Sequence, residues 1–144
     1  MPDVFSRQKR SEVMSRIRAS GNRDTELRLI KIFRAARIVG WRRNAKLFGK
    51  PDFVFPKQRV AVFVDGCFWH RHPGCKFAYT PKSRIEFWVR KFDNNVVRDK
   101  VVTRTLRRAG WKIVRVWECD LVPRRSNRIA SRIRRVVASR RVSS

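Results

Sequence analysis

The sequence predicts an α/β fold with a small mixed central sheet flanked by helices, and three observations carry that prediction. Arg59-Val60-Ala61-Val62-Phe63-Val64 is too continuously apolar for a half-exposed strand and reads as a central one, covered on both faces. Trp111 to Trp117 alternates apolar and basic residues with strong β-propensity, the pattern of a further strand. Around both runs lie segments with helical apolar spacing, and a chain of 144 residues is long enough to bury them as one domain over residues 1–144.

Taken in order, Ser6 to Ala19 place Val13, Met14 and Ile17 on one helical face, with Arg7, Lys9, Arg10, Arg16 and Arg18 over the remainder. Residues 1–22 therefore read as a basic arm or helix, able to follow a phosphate backbone or simply to be solvated. Ser20-Gly21-Asn22 interrupts the pattern. Asp24 or Thr25 can then cap a helix running to about Arg37, with Leu27, Ile30, Phe33 and Ala36 inward and Gly40 as its stop.

Trp41 to Phe48 is strand-like or irregular, and the turn Gly49-Lys50-Pro51 delivers Asp52 into the apolar run Phe53-Val54-Phe55. After Pro56-Lys57-Gln58 the chain returns through the central strand, so Asp52 and Val64 fall on adjacent strands of one hairpin. Ser83-Arg84-Ile85-Glu86 has capping-box form and opens a long helix to about Ala109, with Trp88, Phe92, Val96 and Leu106 apolar and Gly110 as the stop. Pro123 separates a last amphipathic helix, about Asn127 to Ser139. It lies in a basic C-terminal segment, 124–144, where arginine supplies every charge.

The formal charge is +26, from 37 Lys and Arg against 11 Asp and Glu. Such a surplus repels itself and calls for a polyanionic partner, nucleic acid first. A ribosomal or chromatin protein or a binder of anionic membrane surfaces would share it. No run approaches the roughly 20 apolar residues of a spanning helix, so no membrane partner is expected. Met1 to Ser20 contains no apolar core of a secretory signal, which predicts a cytoplasmic, reducing compartment.

The densest chemistry lies in Asp65-Gly66-Cys67-Phe68-Trp69-His70-Arg71-His72-Pro73-Gly74-Cys75. Cys67, His72 and Cys75 have Cys-x4-His-x2-Cys spacing, and the one remaining cysteine, Cys119, follows the Trp111–Trp117 run. Three thiolates and an imidazole suit tetrahedral zinc, and a closed four-ligand site would be structural. Two other readings stay open: buried cysteines acting as small hydrophobes, and a disulfide, which a reducing compartment disfavours.

One histidine completes the zinc set. Assigning His72 leaves His70 to take a proton from an attacking water near neutral pH; the reverse assignment is the alternative. Asp52, set between Pro51 and a buried strand, suits Mg2+ with the Val64 main-chain carbonyl as a second oxygen ligand; its other reading is a turn-capping or salt-bridged acid. Glu26 reads as a helix-start charge.

Pro51-Asp52-Phe53-Val54, Val62-Phe63-Val64-Asp65-Gly66-Cys67-Phe68-Trp69-His70, Arg84-Ile85-Glu86-Phe87-Trp88, Asn95-Val96-Val97-Arg98-Asp99 and Gly110-Trp111 to Val116-Trp117-Glu118-Cys119 together resemble the very-short-patch repair (Vsr) endonucleases. The resemblance extends from about Arg10 to Cys119. It implies a restriction-endonuclease-like fold and a Mg2+-dependent nick in one DNA strand, 5′ to the thymine of a T:G mismatch left by deamination of 5-methylcytosine.

The resemblance makes Asp52 the Mg2+ ligand, assisted by the Val64 main chain, and His70 the catalytic histidine. Glu26 and Asp99 match acids that orient it or metal-bound waters, and Cys67, His72, Cys75 and Cys119 match the family's structural zinc set. Phe68, Trp69 and Trp88 match aromatics that wedge into the base stack beside the mismatch. The implied partners are double-stranded DNA with a T:G pair and other mismatch-repair proteins, met by a monomer in a prokaryotic, nucleoid-associated setting.

This chain departs from related patterns at three places. Val62-Phe63-Val64 offers neither the acid nor the lysine that related restriction enzymes carry on the second strand, so metal binding must rest on Asp52, main chain and water. Position 65 is aspartate where the family often has histidine, and the clip is one residue longer between His72 and Cys75. The competing functional reading is a non-catalytic, zinc-stabilised nucleic-acid-binding module, which leaves Asp52 and His70 without a purpose. A cysteine nucleophile built from Cys67 and His70 is disfavoured, because zinc-committed thiolates make poor free nucleophiles.

Overall fold

Four strands, β1 (Arg42–Arg43), β2 (Phe53–Phe55), β3 (Val60–Asp65) and β4 (Lys112–Trp117), form one sheet in that order in the computed structural model, which describes residues 24–139. β1 and β3 both run antiparallel to β2, whereas β4 runs parallel to β3, so the sheet is mixed as expected. The parallel pair requires a crossover, and helix α2 (Ile85–Arg108) provides it. Helices α1 (24–35) and α3 (Ser126–Ala138) complete the layers. The basic arm expected over residues 1–22 and the last residues of the C-terminal segment lie outside the described residues.

Alternation along the strands sends side chains to two covered faces. Phe53, Phe55, Val60, Val62, Val64, Val114 and Val116 pack with Leu29, Ile30 and Phe33 of α1 and Ile129 and Ile133 of α3. Val54, Ala61 and Phe63 point the other way, onto Val102 and Leu106 of α2. Burial on both faces is why the β3 sequence is continuously apolar rather than alternating.

The helix faces differ from expectation. Leu27 is 45% exposed, and Leu29 and Ile32 are buried with Ile30 and Phe33. A strict three-residue repeat from Leu27 to Ala36 winds around the helix instead of staying on one side, because three residues advance it by about 300°. On α2, Val102 is buried where Val96 is only half-buried. The capping box at its start does not form. Arg84, at the N-cap, is left-handed with φ of 57° and supplies no side-chain cap, so the helix begins one residue after it at Ile85.

The turn that delivers Asp52 is tightly seated. Gly49 has φ of +80°, and a Cβ there would lie 2.3 Å from Val102 Cγ1 of α2. Only glycine lets this turn approach the helix so closely.

Candidate active site and metal-ligand cluster

The register of β3 with β4 determines what can meet at the sheet's end. Asp65 pairs with Trp117, so both strands leave the sheet at one edge, and Cys67 and Cys119 each follow two residues later. His72 Nδ1 lies 3.7 Å from Cys67 Sγ and 3.4 Å from Cys119 Sγ. The ligand atoms of Cys67, His72, Cys75 and Cys119 are all within 4.8 Å of one another.

Tetrahedral zinc with ordinary Zn–S and Zn–N bonds has ligand-to-ligand edges of roughly 3.5 to 3.8 Å, so the donor set fits such an ion in kind and in spacing. Burial pushes the Cys67 thiol up to about 12 and raises Cys119 as well. Sulfurs crowded in this way ionise together only around a cation. The His72 ring is stacked on Trp117, with centroids 4.2 Å apart and planes at 15°, which holds the imidazole in its orientation.

Asp52 and His70 line one cavity of about 410 Å3, together with Val64, Asp99, Lys50 and Arg98. Asp52 stands immediately before β2, and its Oδ2 accepts a 2.6 Å hydrogen bond from the Val64 N–H of the neighbouring strand. Among the described residues no lysine or arginine forms an ion pair with it. Burial pushes its carboxyl up to about 7, with Glu26 and Asp65 adding to the push and the Val64 N–H opposing it. A carboxylate so placed, with the Glu26 carboxylate beside it, fits a hard divalent cation. Glu26 itself is held by Arg43 Nη2 of β1 at 2.5 Å.

His70 sits in the loop after β3, its N–H donating to the Gly66 carbonyl at 3.0 Å. Its Nδ1 is 2.5 Å from Asp99 Oδ2 of α2 and 3.9 Å from Asp65 Oδ1. A proton shared on Nδ1 leaves Nε2 with the lone pair, the arrangement of an oriented general base. Burial works against a charged ring, but Asp99 and Asp65 outweigh it, so the His70 pKa lies above the usual histidine value.

Phe68 and Trp88 are packed with Phe92 in a small cluster of their own, with ring centroids 5.2 to 5.8 Å apart. Trp69 is only half-buried on that cluster, lines the 410 Å3 cavity, and accepts from Asn95 Nδ2 through its carbonyl at 3.2 Å. Arg71 ties the loop down. Its guanidinium donates to the carbonyls of Phe68, Ala78 and Tyr79 and lies 3.9 Å from the Phe92 ring centroid.

The expected catalytic residues thus converge, with Glu26 reaching Asp52 from the α1 side. Sequence reasoning missed Arg115 of β4, which also lines the cavity and pairs with Asp65 at 3.1 Å. The available signal was a cation on the face of β4 that Ile113 shares, with Lys112 on the opposite face.

The family model described as DNA mismatch endonuclease Vsr matches residues 2–76, just over half of the chain. The chain belongs to the Vsr family. Its restriction-endonuclease-like architecture is that of the layered sheet above. The DNA mismatch endonuclease Vsr of Escherichia coli is 39% identical over 123 residues, 84% of this chain and 76% of that protein. The type II nicking enzyme V.XorIIP of Xanthomonas oryzae is 35% identical over 124 residues, 84% of this chain and 88% of its own length. The type II nicking enzyme V.NmeAIP of Neisseria meningitidis is 38% identical over 123 residues, 84% and 85% of the two chains. Among the described residues of this Vsr-family chain no helix is long and apolar enough to cross a membrane.

Proposed function

We propose that this protein is a DNA mismatch endonuclease that nicks one strand 5′ to the thymine of a T:G pair left by deamination of 5-methylcytosine. The observation that carries the reading is the convergence of Asp52 and the His70–Asp99 pair on one cavity in a chain of the Vsr family. A binding module has no use for a half-buried acid with no lysine or arginine paired to it among the described residues, sharing a cavity with an oriented imidazole.

Mg2+ would be held by Asp52 and the Val64 main-chain oxygen, and when bound it would stabilise charge on the phosphoryl oxygens. The Val64 N–H donating to Asp52 Oδ2 fixes the orientation of that carboxylate. His70 accepts the proton of the attacking water at Nε2, while Asp99 holds the ring from Nδ1. Glu26 and Asp65 sustain the negative field that favours a divalent ion over a bare Asp52 carboxylate. Lys50, Lys91 and Arg98 line the same cavity and meet the phosphates without reading sequence. Zn2+ on Cys67, His72, Cys75 and Cys119 is structural, closing the loop that carries His70.

Phe68, Trp69 and Trp88 form the wedge. Trp69 leads, because it is the least buried of the three, and the packed pair behind it provides a rigid back. Unstacking beside a mismatch costs less than beside a Watson–Crick pair, so the wedge favours T:G. The test is incubation of the zinc-loaded protein with end-labelled duplexes, one matched and one with a central T:G pair, with Mg2+ or with EDTA. A single nick 5′ to the mismatched thymine, only with Mg2+, is expected. Binding without cleavage of either duplex would return the chain to the non-catalytic reading, and equal nicking of both would remove the mismatch specificity.

A further inference from the structure

We infer that Arg115 is a positioning residue of the nicking site, which bolts the end of β3 to the middle of α2 so that Asp99 can orient His70. This rests on the endonuclease reading above. Lys112, Val114 and Val116 share one face of β4, so Arg115 belongs to the other, beneath α2. There all three guanidinium nitrogens are engaged. Nη1 donates to both carboxylate oxygens of Asp65 at 3.1 Å. Nη2 donates to the Asp99 main-chain carbonyl at 3.3 Å and to Thr103 Oγ1 at 2.9 Å, and Nε donates to the same hydroxyl at 3.2 Å. The guanidinium carbon lies 4.4 Å from the Phe63 ring centroid, so the fork is stacked as well as bonded.

Two features make this more than a structural ion pair. Asp65 is only 3% exposed, and Arg115 is the cation that hydrogen-bonds its carboxylate, with the His70 ring further off at 3.9 Å. The same guanidinium holds the main chain of Asp99, whose carboxylate lies 2.5 Å from His70 Nδ1, so the imidazole inherits its position from Arg115 through one residue. A planar fork can span strand and helix together. A lysine can neutralise Asp65 but not hold Asp99 and Thr103 at the same time.

The test compares Arg115→Lys and Arg115→Ala with the native protein on the T:G duplex. Arg115→Lys is expected to fold and keep its zinc, yet to lose on the order of a hundredfold in kcat with KM within about twofold, as displaced catalytic groups do. Ethylguanidinium should restore part of the Arg115→Ala activity and ethylammonium should not. A rise in KM with kcat unchanged would overturn the proposal and make Arg115 a phosphate contact. Full kcat in Arg115→Lys would reduce it to neutralising Asp65.

A second readout does not depend on nicking. The His70 Nδ1 proton shared with Asp99 should resonate far downfield in native protein and be lost in Arg115→Lys; its persistence there would sink the positioning role even if no duplex were cut. Should Arg115→Ala fail to fold, the double variant Asp65→Asn/Arg115→Met removes the buried acid together with its half-buried partner, and native kcat in it would overturn the inference.

Discussion

Asp52 is half-buried beside Glu26, with the Val64 N–H donating to it, and its carboxyl is pushed up to about 7 from an ordinary value of 3.8. The sign of the consequence follows from linkage. A carboxyl raised on folding contributes stability fully below pH 3.8 and loses it as the pH rises through about 7. A divalent ion needs the ionised form, so it gains affinity across the same window. Added Mg2+ should therefore raise the melting temperature little at pH 5 and clearly at pH 8, and Asp52→Asn should abolish the difference as well as the nicking, with DNA affinity kept within about tenfold. Differential scanning calorimetry with and without Mg2+ checks the first point; an equal shift at both pH values would remove Asp52 from the ion's ligands. The two histidines separate by a parallel measurement. His70→Ala should stop cleavage and retain zinc, whereas His72→Ala should release it, and the opposite pattern in a zinc assay would reverse their roles.

At the scale of elements, the loop from Asp65 to Cys75 has little apolar core of its own beyond Phe68 and Cys67, and two clamps hold it: the Cys/His cluster at the ends of β3 and β4, and Arg71 against Phe92 of α2. Metal binding to such a cluster is folding energy, because the ligands do not stand together in the unfolded chain. Removing the metal with a strong chelator should lower the melting temperature and expose all three cysteines to a thiol reagent, and Cys119→Ser should reproduce the effect from the β4 side. Unchanged stability with substoichiometric zinc in the purified protein would dismiss the structural metal. Loss of the clamp should also abolish cleavage, since His70 is carried on the same loop.

Over the whole molecule, the proposed function divides binding between a charge of +26 and a half-buried aromatic on the cavity rim. There the cations would give affinity that is blind to mismatch and falls with salt, whereas Trp69 would act on the stack. Raising ionic strength should weaken matched and T:G duplexes with similar slopes. Trp69→Ala should erase the preference at fixed salt while leaving the slope nearly unchanged. A 2-aminopurine beside the mismatch should brighten on binding of native protein and stay dim with the variant; an equal response would make Trp69 a packing residue of the Phe68–Trp88–Phe92 cluster.

Residue types and local spacing were enough to read the buried central strand, the second strand, the candidate Cys/His set and the glycine-flanked loop, because each is a short-range property. The long α2 and the α3 helix were legible for the same reason, to within a few residues at their ends. Family resemblance, carried by strings such as Gly66-Cys67-Phe68-Trp69-His70, named the acids around His70. What only the tertiary structure decided depends on partners far apart in the chain. The parallel register that brings Cys119 to Cys67, and the face of α1 that turns Leu29 inward and Leu27 outward, are set by packing against the sheet. Arg115 is the sharpest case. Strand alternation places it on the face of Ile113 without saying what meets its charge, and the helix laid across that face supplies Asp99 and Thr103, while the neighbouring strand supplies Asp65. A charge can be buried where three elements meet to satisfy it, and no local pattern records that meeting.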